Sequence, residues 1–110
     1  MDNHLYSSLH TMSSQQLISL LSSQQVQQYC TDKHILSLWL TGSFADGHFT
    51  QDSDVDLVYT KDDDRFSLMD KYDIQDFLSQ VIHKSVDMIS LNALREPIRS
   101  SILSKYIKIF

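Results

Sequence analysis

Cysteine, proline and glycine are all scarce in this 110-residue chain: one Cys, one Pro and two Gly. A lone thiol, Cys30, cannot close an internal disulfide, which excludes a disulfide-stapled scaffold and fits a reducing compartment. No apolar run approaches the roughly 20 residues that a bilayer crossing requires. The first residues, Met1-Asp2-Asn3-His4, show no basic flank followed by an apolar stretch, so a secretory signal is not expected and a cytoplasmic location is the default. Positive charge is short as well. Nine Lys and Arg stand against 14 Asp and Glu, for a net charge of -5, and no Lys/Arg cluster supplies an electrostatic footprint for nucleic acid. Direct binding of a polynucleotide and attachment to a membrane are therefore both disfavoured.

What is present reads as an ordinary soluble domain, 42% apolar and 21% charged. The length suits one compact unit. Residues 1–12 show no periodicity and read as a loose lead-in; residues 13–110 read as a single domain. Ser13 with Gln16 forms a capping box, and Met12 with Leu17 a hydrophobic staple, so a helix starts there. Ser-Ser-Gln-Gln recurs at 22–25, leaving open whether one helix runs to about Tyr29 or a second begins near Ser22. His34 to Thr41 is apolar on both faces and reads as a central, covered strand. Gly42-Ser43 ends it, a short helix begins at Phe44, and Gly47 stops that helix. Asp54 to Thr60 is the second strand and Asp62-Asp63-Asp64 a solvated turn. Ile74, Phe77, Leu78, Val81 and Ile82 carry the helical period of a helix that begins at Ser67 or Asp70 and runs to Lys84. Ser85 to Ile89 is a third strand, Pro97 fits the first turn of a last helix to about Ser104, and Tyr106 to Phe110 is a final strand with Lys105 and Lys108 suited to an exposed edge. This order predicts an α/β (α+β) fold, with helices packed on a sheet of about four strands.

One stretch carries the chemistry. Gly42-Ser43 is followed, after ten residues, by Asp54-Val55-Asp56 at the start of the second strand. Residues two apart on a strand share a face, so Asp54 and Asp56 present two carboxylates side by side. Asp87 is the only acid inside another predicted strand, and its neighbours Val86 and Met88 point to the core, so it is the natural third member. Mg²⁺ takes hard oxygen ligands and combines one or two carboxylates with substrate phosphates and water. Three such groups can hold two ions roughly 3.5–4 Å apart, suited to activating an attacking oxygen and stabilising a leaving pyrophosphate. Gly42 allows a phosphate to approach the backbone, and Ser43, where a helix begins, offers N–H groups and a hydroxyl. Asp54, Asp56 and Asp87 are thus the candidate catalytic and metal-binding residues, and Gly42 and Ser43 the candidate nucleotide-binding pair.

The remaining polar residues carry less. His48 reads as a surface loop residue of the motif, Cys30 as a small core residue and Trp39 as core. His4, His10, His34 and His83 have no metal-binding spacing. Lys61, Arg95 and Arg99 read as surface charges.

Gly-Ser, ten residues, then Asp-Val-Asp resembles the motif of the DNA polymerase β-like nucleotidyltransferase superfamily. The short chain, the Ser53-Asp54-Val55-Asp56-Leu57 wording and the later Val86-Asp87 are similar to its minimal branch, the MNT proteins, over about Ile35 to Phe110. The resemblance implies a mixed sheet, ATP as donor, Mg²⁺ at the three aspartates, and phosphate contacts from Gly42 and Ser43. It also implies a partner. Many MNT proteins are antitoxins of HEPN toxins and transfer AMP to a toxin tyrosine, silencing an RNase, so a hetero-oligomer with a cognate HEPN toxin is expected. The alternative is an antitoxin that neutralises its partner by binding alone. Family members often carry a basic residue where this chain has Asp46, which removes one phosphate contact and bears on turnover more than on nucleotide binding.

Overall fold

The computed structural model describes residues 12–110, so the expected lead-in lies almost wholly outside the described residues. The chain opens with two short helices, α1 (Ser14–Leu21) and α2 (Gln24–Asp32). The Ser13/Gln16 capping box forms as expected, and Ser23 caps the second helix by accepting from the Val26 N–H, so the repeated Ser-Ser-Gln-Gln starts a new helix. Strand β1 (Ile35–Thr41) leads through the short helix α3 (Ser43–Asp46) to β2 (Val55–Lys61). Helix α4 (Leu68–Ile82) then precedes β3 (Val86–Ser90), a 3-10 turn (Leu91–Ala93), α5 (Ile98–Leu103) and β4 (Ile107–Lys108).

The sheet order is β3-β2-β1-β4. β2 pairs parallel to β3, while β1 pairs antiparallel to both β2 and β4. Alternation gives each strand one inward row: Leu38 and Leu40, then Val55, Leu57 and Tyr59, then Val86 and Met88. Leu17 and Leu21 of α1, Val26 and Cys30 of α2, and Ile74, Leu78 and Ile82 of α4 close over that face. Each such fully buried aliphatic contributes about 1.5–3 kcal/mol relative to exposure, so this single layer of helices fixes the strands from one side. The other face is more open. There the register aligns Thr41, Asp56 and Asp87 in one row and Trp39, Val58 and Ile89 in the next. Val58 is buried on that side although it is not part of the main core, and the 3-10 turn packs against β2.

Four expectations need correction. Asp54 does not open β2; it lies one residue before it. Leu36 was expected to be covered, but β1 slips register between Ile35 and Ser37, and the extra residue turns Leu36 to solvent, 62% exposed. Helix α4 stops at Ile82, short of the expected Lys84, because His83 adopts the left-handed conformation as its C-cap. The last strand spans only Ile107–Lys108, although Ile109 N–H still donates to the Leu38 carbonyl at 2.8 Å and Leu38 N–H to Phe110 at 2.9 Å.

Candidate functional site

The site grows from the junction of β1 and β2. Gly42, between β1 and α3, has φ +70° and ψ −153°, a backbone conformation open to glycine alone. A Cβ there would fall well inside contact distance of Asp56 Oδ2 and 3.2 Å from the Asp56 Cβ and Cγ. Glycine is needed for both reasons: the bend and the carboxylate occupy the same space. The buried Thr41, one residue earlier, donates its hydroxyl to the Asp56 carbonyl at 3.1 Å and so ties the bend to β2.

Helix α3 is a single turn. The Gly42 carbonyl accepts from the Ala45 and Asp46 N–H groups at 3.0 and 3.1 Å, and Gly47 ends the turn at φ +85°. Phe44 is buried beneath it and stacks on Phe49 with ring centroids 4.5 Å apart. The Lys84 ammonium stands 5.4 Å over the Phe44 ring and donates to the Gln51 carbonyl at 2.7 Å. The motif loop is therefore held from the end of α4, a contact between residues far apart in the chain. Asp46 turns back on its own loop, where its Oδ1 accepts the His48 N–H at 2.9 Å and faces His48 Nδ1 at 3.3 Å.

The carboxylates gather at the same end of the sheet. Asp56 and Asp87 are direct register partners across β2 and β3, and Asp54 stands just before β2. Asp56 is half-buried, while Asp54 and Asp87 are exposed. Burial, followed by the negative charges of Asp87 and Asp54, pushes the Asp56 carboxyl above the ordinary carboxylate range. Asp56 thus feels the charge of both other expected acids. As placed, no three carboxylate, imidazole or thiol groups among the described residues stand close enough to enclose an ion. The donor set is nonetheless all hard carboxylate oxygen, mutually repelling, and none of the three acids is paired with a Lys, Arg or His among the described residues. That is the chemistry Mg²⁺ selects.

Ser43 is half-buried in the first turn of α3, and its hydroxyl has no hydrogen-bond partner among the described residues. A cleft of about 310 Å³ opens beside Gly42 and also takes in Asp46 and His48 of the motif loop and Ser101, Ser104 and Lys105 from α5 and the turn after it. Of the cations weighed from sequence, Lys61 pairs with Asp63 at 2.7 Å, Arg95 donates to the Asn92 and Leu94 carbonyls, and Arg99 to the Leu91 carbonyl. Lys61 and Arg95 act within their own turns, and Arg99 ties α5 back to the 3-10 turn. Trp39 is only half-buried on the open face, and Cys30 is in the core as expected. Sequence reasoning missed Thr41, Lys84 and the cleft position of Lys105. Only the Thr that closes the apolar strand directly before Gly-Ser carried any local signal. Among the described residues no helix is long and apolar enough to cross a membrane.

Comparison with known proteins follows this geometry. The sequence profile of the family described as Polymerase beta, Nucleotidyltransferase matches residues 24–110. Among solved structures, a minimal nucleotidyltransferase is 25% identical over 87% of this chain and 95% of its own, with a TM-score of 0.72. A toxin–antitoxin complex with AMP-PNP contains a chain that matches at 15% identity, covering 78% of this chain and 70% of that one, with a TM-score of 0.63. A complex of a tri-AMPylated HEPN toxin from Shewanella oneidensis with MNT antitoxin matches at 13% identity, 82% and 70% coverage and a TM-score of 0.58. The last two likenesses are of fold. A search of curated protein sequences found no match.

Proposed function

This chain belongs to the polymerase β nucleotidyltransferase family, and from that premise we propose that it is a Mg²⁺-dependent adenylyltransferase. It takes AMP from ATP, places it on a tyrosine of a cognate HEPN toxin, and so acts as that toxin's antitoxin in the cytoplasm. The observation that carries the reading is the position of Asp56. It is packed against the glycine bend on one side, registered against Asp87 on the other, and electrostatically coupled to both Asp87 and Asp54. The likeness in fold to the chain crystallised with AMP-PNP, and to the complex of MNT antitoxin with a tri-AMPylated HEPN toxin, supports the choice of donor and acceptor.

Transfer joins an acceptor oxygen to the α-phosphorus and releases pyrophosphate. Asp54, Asp56 and Asp87 would hold Mg²⁺, which when bound neutralises phosphate charge and eases ionisation of the attacking hydroxyl. Gly42 lets the phosphate chain approach the backbone beside Asp56, and the free Ser43 hydroxyl donates to a phosphate oxygen. The rigid pairing of β1, β2 and β3 keeps these groups in place, and in phosphoryl chemistry positioning and electrostatics supply most of the rate. Mixing the full chain with Mg²⁺, ATP and the candidate HEPN protein, then weighing the partner intact, tests the reading. One or more AMP increments are expected. A partner that binds yet gains no mass overturns it.

One observation favours a second reading. Asp46 puts a carboxylate in the cleft beside the bend, where a phosphate tail would be repelled. On this reading the domain neutralises its partner by covering it. An Asp54→Asn/Asp56→Asn double variant separates the two: neutralisation lost supports catalysis, and neutralisation kept supports binding alone.

A further inference from the structure

We propose that Lys105 is the phosphate-binding cation of this site, holding the β- and γ-phosphates of a nucleoside triphosphate in the cleft beside Gly42. The inference rests on the nucleotidyltransferase reading above and adds a residue from outside its sequence motif.

Three observations lead to it. First, the cleft and the carboxylates share a wall. Gly42 lines the cleft, and the same residue is packed against the Asp56 side chain. Asp54, Asp56 and Asp87 themselves do not line the cleft, so Gly42 is the point at which a triphosphate reacting beside Asp56 would pass into it, with its distal phosphates toward α5. Second, Lys105 is the only Lys or Arg that lines the cleft, and it makes no ion pair among the described residues. Third, five of the other cations are engaged elsewhere. Lys84 is held by the Gln51 carbonyl and the Phe44 ring, Lys61 by Asp63, Lys33 by Asp73, and Arg95 and Arg99 by backbone carbonyls.

The local charge makes such a cation necessary. Asp46 lies in the cleft, and its Oδ1 already accepts the His48 N–H, so the motif loop offers a triphosphate a negative wall. An ammonium on the facing turn offsets that wall. Lysine serves here as a point charge on a flexible stem, able to follow a phosphate as it leaves. Ser101 beside it presents a hydroxyl with no hydrogen-bond partner among the described residues, whereas Ser104 donates to the Ser101 carbonyl at 2.7 Å.

Calorimetric titration of the full chain with ATP and with AMP, each in the presence of Mg²⁺, tests the proposal. Lys105→Ala should weaken ATP roughly tenfold, the usual size of one lost charge-assisted hydrogen bond. AMP should change less than about twofold, because it lacks the distal phosphates. Lys105→Glu should weaken ATP further, and Lys105→Arg should restore most of the affinity. Lys105 is exposed, so the melting temperature of Lys105→Ala should match that of the parent. ATP affinity unchanged in Lys105→Ala overturns the proposal while leaving the nucleotide reading intact. Equal losses for ATP and AMP also overturn it, because they report a general effect on the fold. A parent chain that binds neither nucleotide overturns the nucleotide reading and this inference with it.

Discussion

Replacing Gly42 by alanine tests whether the bend and the central carboxylate share one space. Two separable costs follow from the structure. The backbone at φ +70° and ψ −153° is a glycine-only conformation, which costs a substituted residue about 1–3 kcal/mol. The added methyl collides with Asp56, a side chain anchored on a paired strand, and overpacking of this kind costs a further ~1–3 kcal/mol. The sum, about 2–6 kcal/mol, is a large share of the roughly 5–15 kcal/mol that holds a domain together. At roughly 4 °C per kcal/mol for a domain of this size, the melting temperature should drop by about 8–24 °C. Gly47→Ala is the control. Gly47 also has positive φ, +85°, but a Cβ there meets nothing within 4 Å, so only the left-handed backbone penalty of about 1–2 kcal/mol applies. Urea unfolding of Gly42→Ala, of Asp56→Ala and of the two combined gives a double-mutant cycle, with Gly47→Ala measured beside it. Removing the carboxylate should recover part of the loss, with a coupling of about 1 kcal/mol or more. A Gly42→Ala variant no less stable than Gly47→Ala, or a strictly additive cycle, would refute the shared-space account.

Other expectations concern charge, burial and the motif loop. Because burial and the charges of Asp87 and Asp54 hold the Asp56 carboxyl above its ordinary range, ionising it costs the fold stability. That contribution is favourable below the ordinary carboxylate range and is lost as pH rises through the raised value. Asp56→Asn should therefore raise the melting temperature of the metal-free protein at neutral pH and flatten its dependence on pH. Added Mg²⁺ should stabilise the parent but not the variant, and a metal-free variant that melts lower would contradict the assignment. Cys30 is fully buried, and burial pushes its thiol up to about 12, so a thiol reagent at neutral pH should label it only as fast as the domain unfolds; rapid labelling of the native chain would show otherwise. Lys84→Met keeps the stem over Phe44 but loses the bond to the Gln51 carbonyl, with an expected cost of about 1 kcal/mol and faster amide exchange confined to the motif loop.

The parts of this fold legible in the sequence are those with a one-sided environment. β2 and β3 each have a helix-covered face and an open one, so alternation alone placed Val55, Leu57, Val86 and Met88 inward and Asp56 and Asp87 outward. Helix α4 was equally clear, because Ile74, Leu78 and Ile82 all enter the core. What stayed hidden depends on pairing. The register slip that exposes Leu36 is set by pairing with β2, and β4 pairs with β1 only at Trp39 and Leu40. The parallel pairing of β2 with β3 is also invisible locally, yet it is what puts Asp87 opposite Asp56. The contact of Lys84 with Gln51 spans 33 residues, and the entry of Lys105 into the cleft is likewise a product of tertiary structure. The Gly-Ser and Asp-Val-Asp motifs indicate a site, but not which acid bears the strain of its neighbours.

The distribution of that strain follows from the layering. Three acids brought together would relax apart if their strands were free to shift. They are not, because the inward neighbours of Asp56 and Asp87, namely Val55, Leu57, Val86 and Met88, are all packed into the core. A one-residue slip of either strand would turn those apolar groups to solvent and the acids to the interior. Each buried aliphatic contributes about 1.5–3 kcal/mol, so four of them outweigh repulsion between partly solvated carboxylates, which in high dielectric amounts to about 1 kcal/mol per pair at contact. The backbone therefore holds the acids in register, and the repulsion can be relieved only by a proton on Asp56, by rotation of the exposed Asp54 and Asp87 side chains, or by a cation. On the proposed function Mg²⁺ would be that cation, its charge offsetting the carboxylates. The single-layer architecture, with helices on one face and the acids at one end of the other, thus lets core packing hold Asp56 and Asp87 side by side.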